Sequence, residues 1–469
     1  MLRRLIANQK FVVAVVYVSS MILNSLDSTI VNVSLATLGR EFGVPASSIE
    51  SVVIGYIVSL AVFMPASGWL GNRFGTRNVF LLALALFTLA SVMCGFAQSL
   101  NQLVLFRVLQ GAGGGLLTPV GMTLLYRTFP PAERLGVGRV LMFATILGPA
   151  LGPVIGGGIL EVASWRWTFW VKVPIAASAL LFGWRFLHDE RDEEPAGAFD
   201  WAGFALAGAG LGSTMFAVLE GPDMGWTSPE ILATGIVGIT CLVLLVRRAL
   251  RIPAPIVDFR LYGNRLFLAI NRVAFFGSAG FLGTLFLVPL YLQDARELSA
   301  LTAGLTTMPE ALGVVISTQV VARLYPHIGP RRLQASGLLL VTAAIAFLGM
   351  VQIDTPLWQI GVNMFIIGVG MAFVFLPNQA ASMATIERPK LGGASMLFSV
   401  QRQLGSAIGV ALTSTVLSVV GVSVISGDVS APNLDAYRAA FWAAAALSFI
   451  GSLWAWKVPD EDAAETMKR

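Results

Sequence analysis

The sequence predicts an all-α polytopic membrane protein, built as two six-helix bundles with two further helices inserted between them. Three observations carry this. Hydrophobic residues make up 56% of the chain and charged residues 12%, with a mean hydropathy of +0.77, which no ordinary soluble domain tolerates. Apolar segments of about 20 residues, the length that crosses roughly 30 Å of hydrocarbon, recur fourteen times. Finally, a weak internal repeat relates the two ends of the chain at a constant offset of 254 residues, pairing Leu70 with Leu324, Gly75 with Gly329 and Arg77 with Arg331. Repeated halves around a midplane site are the plan of secondary transporters.

In order, the predicted spans are 11–34, 48–70, 78–98, 101–126, 136–161, 165–187, 200–219, 228–250, 266–292, 301–324, 332–350, 357–383, 391–424 and 436–456. The longest polar interruption, His188 to Asp200, reads as a hinge. It divides the chain into a first bundle over 1–190, an inserted pair over 191–260, a second bundle over 261–457 and a tail over 458–469. An even number of spans puts both termini on one side. Lys and Arg crowd the loops of that side (Arg3, Arg4, Lys10, Arg73, Arg77, Arg127, Arg134, Arg247, Arg248, Arg331 and Arg332 among them), whereas the opposite loops and helix ends hold Arg40, Arg166, Lys172, Arg296 and Arg438. The positive-inside rule makes both termini cytoplasmic and the location the cell membrane.

A formal charge of +5 does not indicate nucleic acid, because no basic cluster is interleaved with exposed aromatics and the loops account for the excess. The opening MLRRLIANQK resembles a signal-peptide start, but the following apolar stretch is too long and lacks a small-residue cleavage pattern, so it reads as a retained span. Cys94 and Cys241 fall in spans, and His188 and His327 in loops, which supports neither disulfides nor a metal site. No nucleophile–base pair or nucleotide loop is present. An enzyme and direct ATP coupling are therefore disfavoured, and no cofactor is expected.

The first span holds a carboxylate. Tyr17, Ser20, Asn24, Asp27, Val31 and Ser34 recur at three- and four-residue steps and form one mostly polar stripe on a helix. An ionised Asp at a helix centre costs roughly 2.5–3.5 kcal/mol on insertion scales, and such residues mark ion, proton or substrate paths. The structural alternative is an acid that only ties helices together through a buried Arg. Arg107, in the fourth span with Gln110 and Gly111 behind it, is the candidate counter-charge. In the fifth span Gly148, Gly152 and Gly156 leave a flat face for another helix, and Pro149 and Pro153 permit bending.

These motifs together resemble the fourteen-helix drug:proton antiporters of the major facilitator superfamily (EmrB/QacA type), over essentially the whole chain. LDSTIVNVSL, with Asp27, Thr29 and Asn32, is similar to the family's first-helix signature. The stretch Gly68 to Arg77 is similar to the loop after helix two and includes Asn72, Arg73, Gly75 and Arg77. Asn72, however, replaces the usual Asp, and Thr76 a basic residue, so the charged contact across the halves is not available to it. Arg107 with Gln110 matches the fourth-helix motif, and Gly148 to Gly158 matches the antiporter motif GPxxGPxxGG. Trp165 to Trp170 resembles the start of helix six, where Lys172 departs from the family's Asn. Gln401 to Gly405, including Arg402, is similar to the RQLG stretch.

The resemblance implies a proton-driven exporter of amphipathic drugs or other lipophilic compounds, working by alternating access. Asp27, Arg107 and Glu310 are then the proton-coupling candidates, and either acid can carry the proton. Glu310 can equally be neutralised by Arg272 or Arg402. Tyr17, Asn24, Asn32, Gln110, Asn378, Gln379 and Arg402 are candidates to line the substrate cavity. The expected partners are a lipophilic small molecule or lipid, protons and the bilayer. A periplasmic adaptor with an outer-membrane channel stays open. The alternatives are export of a lipid or metabolite on the same fold and, disfavoured by the absence of an ExxER signature, a proton-coupled peptide importer.

Overall fold

A computed structural model describes residues 8–188, 197–421, 423–426 and 429–467. The first seven helices are α1 (Gln9–Phe42), α2 (Ser51–Phe63), α3 (Ala66–Phe74), α4 (Thr76–Gly95), α5 (Leu100–Thr128), α6 (Arg134–Val162) and α7 (Val173–Phe186). Then follow α8 (Trp201–Met224), α9 (Pro229–Ala249), α10 (Arg265–Leu290), α11 (Pro309–Leu348), α12 (Leu357–Ala381), α13 (Leu391–Val420) and α14 (Leu434–Ala455). Side-chain oxygens close the starts of several: those of Asn8, Ser99, Asp200, Ser228 and Asn264 accept backbone N–H groups of the first turn, satisfying donors that a helix leaves orphaned.

Several spans differ from the expectation. The second is broken, with α2 and α3 meeting at 55° at Met64-Pro65, because Pro65 cannot donate a helical bond. The sixth begins as a separate turn, Trp167–Trp170, before α7. The tenth and eleventh abut as the two limbs of α11, which leave helical geometry between them at Gly329, where φ is 79° and a side chain would be strained. The thirteenth stops at Val420. Beyond it a two-stranded antiparallel hairpin, β1 (Ser423–Ser426) with β2 (Val429–Pro432), replaces the expected helical end. Among the described residues, ten helices are each long and apolar enough to cross a membrane, or up to eleven when the bent pair counts as one span.

The packing repeats. In the first half α1 lies against α6 and α7, and α5 against α2 and α4. In the second, α10 lies against α13 and α14, and α12 against α11. Glycines permit the corresponding close contacts: a Cβ at Gly148 or Gly152 would overlap Ser25 or Thr29 of α1, and one at Gly405 would come within 2.6 Å of the Phe275 carbonyl of α10. Of the inserted pair, α8 wedges between α2 and α13, while α9 leans on α8 and leaves most of its surface outward.

The first and last described residues lie at one end of the molecule. Lys10 pairs with Glu133 at 2.6 Å, and the short helix Ala464–Met467 packs against the same Pro131–Glu133 turn. Contacts between the halves collect at this terminal end. Tyr126 Oη donates to the Gln379 carbonyl at 2.6 Å, and Asn72 Nδ2 donates to the Pro389 carbonyl at 3.3 Å. Gly68 meets the backbone of Gly392.

Candidate functional site

The α1 stripe points into the first half, and Asp27 is wholly buried there. Its carboxylate accepts from Arg107 Nη1 at 2.6 Å, from Gln110 Nε2 at 2.9 Å and from Lys172 Nζ. Arg107 and Gln110 share a face of α5 by their three-residue spacing, and a bond from Arg107 Nη1 to Gln110 Oε1 at 2.7 Å locks them together. Gln110 Nε2 also donates to Ser91 Oγ of α4 at 2.7 Å, and Arg107 Nε to the Val52 carbonyl of α2 at 3.3 Å. One carboxylate therefore faces two cations inside a cluster supplied by four helices and the segment before α7. Such a cluster survives burial only when its hydrogen bonds are met.

Sequence reasoning placed Lys172 among the opposite-side helix ends. It is the N-cap residue of α7, and the structure adds that its side chain is buried beside Asp27, with the Phe169 ring centroid 5.2 Å from its ammonium. The break between Trp170 and Val173 turns the side chain inward. The departure from the family's Asn was the available signal.

A chain of contacts leads from this cluster towards the molecular centre. The Arg107 guanidinium stacks 4.1 Å from the Tyr56 ring centroid, Tyr56 Oη donates to Asn24 Oδ1 at 2.5 Å, and Asn24 Nδ2 donates to Thr118 Oγ1 at 3.1 Å. Thr118 lines a central cavity between the halves, together with Tyr17, Met21 and Met122 on one side and Phe375, Asn378, Gln379, Phe398 and Arg402 on the other. Asn24 and Gln110 thus lie behind the cavity wall, whereas Tyr17, Asn378, Gln379 and Arg402 form it. Asn32 is exposed on α1 and does not line the cavity.

Glu310 stands apart from these groups. It is half-buried in the first turn of α11, lines no part of the cavity and forms no ion pair among the described residues. Of the alternatives open for Glu310, neutralisation of Arg272 or Arg402 is not seen among the described residues. Arg272 stacks 4.1 Å from a Trp454 ring centroid instead.

The conformational motifs meet at two places. Thr29 Oγ1 donates to the Gly148 carbonyl at 3.2 Å, so the glycine face of α6 abuts the Asp27 helix through Gly148, Gly152 and, opposite Ile30, Gly156. The side chains of Pro149 and Pro153 lie outside the described residues. At the terminal end Arg127 donates to Asn72 Oδ1 at 3.0 Å and to Thr76 Oγ1 at 2.9 Å. The two residues of this loop that depart from the family pattern are therefore both engaged by one arginine. Gly75, with φ at 88°, makes the turn, Arg77 Nη2 donates to the Trp184 carbonyl at 2.5 Å, and Arg73 is exposed.

Two packed groups of helices around a central cavity, with ionic chemistry buried in one of them, define a polytopic membrane transporter. The chain matches the Major Facilitator Superfamily over residues 17–410 and belongs to that family; it is not an enzyme. It is 32% identical over 410 residues to the "Multidrug resistance protein B homolog" of Mycobacterium tuberculosis, covering 86% of this chain and 75% of that one. To the "Multidrug export protein EmrB" of Haemophilus influenzae it is 31% identical over 401 residues, covering 83% and 77%. Among solved structures, the proton:xylose symporter XylE shares the fold with a TM-score of 0.68, at 14% identity and 98% coverage of each chain.

Proposed function

We propose that this chain is a proton-coupled exporter of amphipathic compounds, with fourteen membrane crossings, both termini in the cytoplasm and the two six-helix halves flanking an inserted pair. Relatives named for multidrug resistance and export support the drug-efflux part. The fourteen crossings follow when α6, the Trp167–Phe186 pair and each limb of α11 count as spans of their own. The coupling rests on one observation, the run of contacts from cavity-lining Thr118 through Asn24, Tyr56 and Arg107 to Asp27.

In this mechanism the halves rock about the cavity, and the described contacts belong to the state closed at the cytoplasmic end. Arg107 stays charged at any working pH, whereas Asp27 and Lys172 can exchange a proton. Proton uptake from outside changes the charge of the cluster and with it the position of Asn24 and Thr118 at the cavity wall. Release inside restores it. Cargo and proton then compete because each favours a different state.

Proteoliposomes with an imposed pH gradient test this. Asp27→Asn is expected to fold and to lose gradient-dependent dye movement; unimpaired movement in that variant sinks the coupling assignment.

A further inference from the structure

The central cavity has a charge character that bears on its cargo. Its walls are soft and apolar where Met21, Met122, Phe375 and Phe398 meet, which suits varied hydrophobic bodies. Among the described residues Arg402 is the one charged residue lining it, and none that lines it is acidic. Among the described residues Arg402 forms no ion pair, and its guanidinium makes no hydrogen bond. Two further donors belong to the same wall. Gln379 Nε2 is buried with no acceptor, and the Oδ1 of Asn378 is already taken by Gln334 Nε2 at 2.7 Å, which leaves that amide its donor end.

The acids elsewhere in the interior do not offset this. Asp27 lies behind the wall and is saturated by Arg107, Gln110 and Lys172, and Glu310 does not line the cavity. A cationic cargo would meet an uncompensated guanidinium in a poorly screened space. An anionic one would satisfy that guanidinium through charge-assisted bonds, with the amides of Asn378 and Gln379 on the same wall as further donors.

From this we infer that the cavity takes amphiphiles with an anionic head group, a carboxylate, phosphate or sulfonate on an apolar body. The head sits at Arg402, Gln379 and Asn378. This cargo class rests on the exporter reading above and narrows it.

Binding to the purified full-length protein in neutral detergent tests the class without requiring transport. Fluorescein, an anionic xanthene dye, is expected to bind at least about tenfold more tightly than cationic rhodamine 123. Arg402→Gln should weaken fluorescein by about tenfold, the usual scale of one charge-assisted contact. Arg402→Lys should recover part of the loss, and Arg402→Glu should reverse the preference. If Arg402→Gln fails to fold, Gln379→Leu supplies the reading, with fluorescein expected severalfold weaker. Equal or tighter binding of the cation overturns the inference, as does fluorescein binding that ignores Arg402→Gln in a folded protein.

Competition distinguishes the sources of the head group. Displacement of fluorescein by short-chain phosphatidylglycerol but not phosphatidylcholine identifies a lipid, and no displacement by either identifies a free small anion; both uphold the class. Anion binding without gradient-driven movement in proteoliposomes would sink the exporter reading and leave the cargo class standing. Gradient-driven rhodamine movement without fluorescein binding would do the reverse.

Discussion

The two halves share a packing plan and handle buried charge in opposite ways. In the first half the buried carboxylate is met on all sides: Asp27 accepts from Arg107, Gln110 and Lys172, and Gln110 passes on to Ser91. In the second half Arg272 rests on an indole, and Arg402 opens to the cavity with an unpartnered Gln379 donor beside it. A closed network holds charge in place and responds to protons, whereas an open one waits for a ligand. On the proposed function, the difference separates an ion-coupling half from a cargo-binding half on a common backbone.

The strongest way to break this comparison is Asp27→Leu, which leaves two buried cations facing no anion. The expected loss is about 3–5 kcal/mol, the cost of stripping one partner from a buried pair, seen as a lower thermal unfolding midpoint. Lys172→Asn alone should cost far less, because Arg107 and Gln110 still cover the carboxylate. A double-mutant cycle on Asp27 and Lys172 should return a coupling within about 0.5–3 kcal/mol; a coupling of zero would make Lys172 a bystander. Arg402→Leu, by contrast, breaks no pair and should leave the midpoint unchanged or raised.

Next in size are the glycine contacts that the halves have in common. Gly152→Val drives a side chain into Thr29, and Gly405→Val drives one into the Phe275 carbonyl. Overpacking of this kind costs about 1–3 kcal/mol, and similar losses at both sites are expected if the α1–α6 and α10–α13 contacts are equivalent. A loss at one site alone, measured by unfolding in detergent, would end the equivalence.

Much of this was legible in the sequence, for reasons that differ by residue. Asp27 and Arg107 stood out because a charge in an apolar span must find a partner, and the glycines because their four-residue spacing admits only a close neighbour. The repeat pairing Gly75 with Gly329 pointed to related halves, and the two glycines share a positive φ, at 88° and 79°. The contact of Lys172 with Asp27 was not read from the sequence because its inward turn depends on where the Trp167–Trp170 segment breaks, and composition does not mark that break. The role of Glu310 stayed open between proton coupling and pairing with Arg272 or Arg402, since a linear sequence carries no distances between helices. The hairpin at 423–432 was missed because Val, Ser and Ile prolonged the apolar run of α13 without a clear stop.

The equivalent turns differ in what braces them, and two smaller effects test that difference. At Gly75 the brace is Arg127 on Asn72 and Thr76, with Asn72 also reaching Pro389 in the other half. Asn72→Asp puts a full negative charge beside Arg127 and near the start of α13 at Leu391, where a helix N-terminus favours an anion. The closed terminal end should gain about 1 kcal/mol despite the lost Pro389 bond. Spin labels at Arg73 and Lys390 would show a larger short-distance population, and a shift to longer distances would refute the brace.

At Gly329 the brace comes from the tail, where Asp460 Oδ1 accepts the Arg331 backbone N–H at 2.8 Å. Nearby, Tyr325 Oη and Thr466 Oγ1 lie 2.6 Å apart and hold the tail to the same half. Asp460→Ala removes one acceptor from a partly exposed amide, an effect of about 0.5–1.5 kcal/mol, confined to the turn because Tyr325 still anchors the tail. Hydrogen exchange at the Arg331 amide should quicken up to about tenfold while the global unfolding midpoint stays put. Unchanged exchange would mean that the turn at Gly329 holds its shape without the tail. The second half would then rely on glycine geometry alone where the first relies on Arg127.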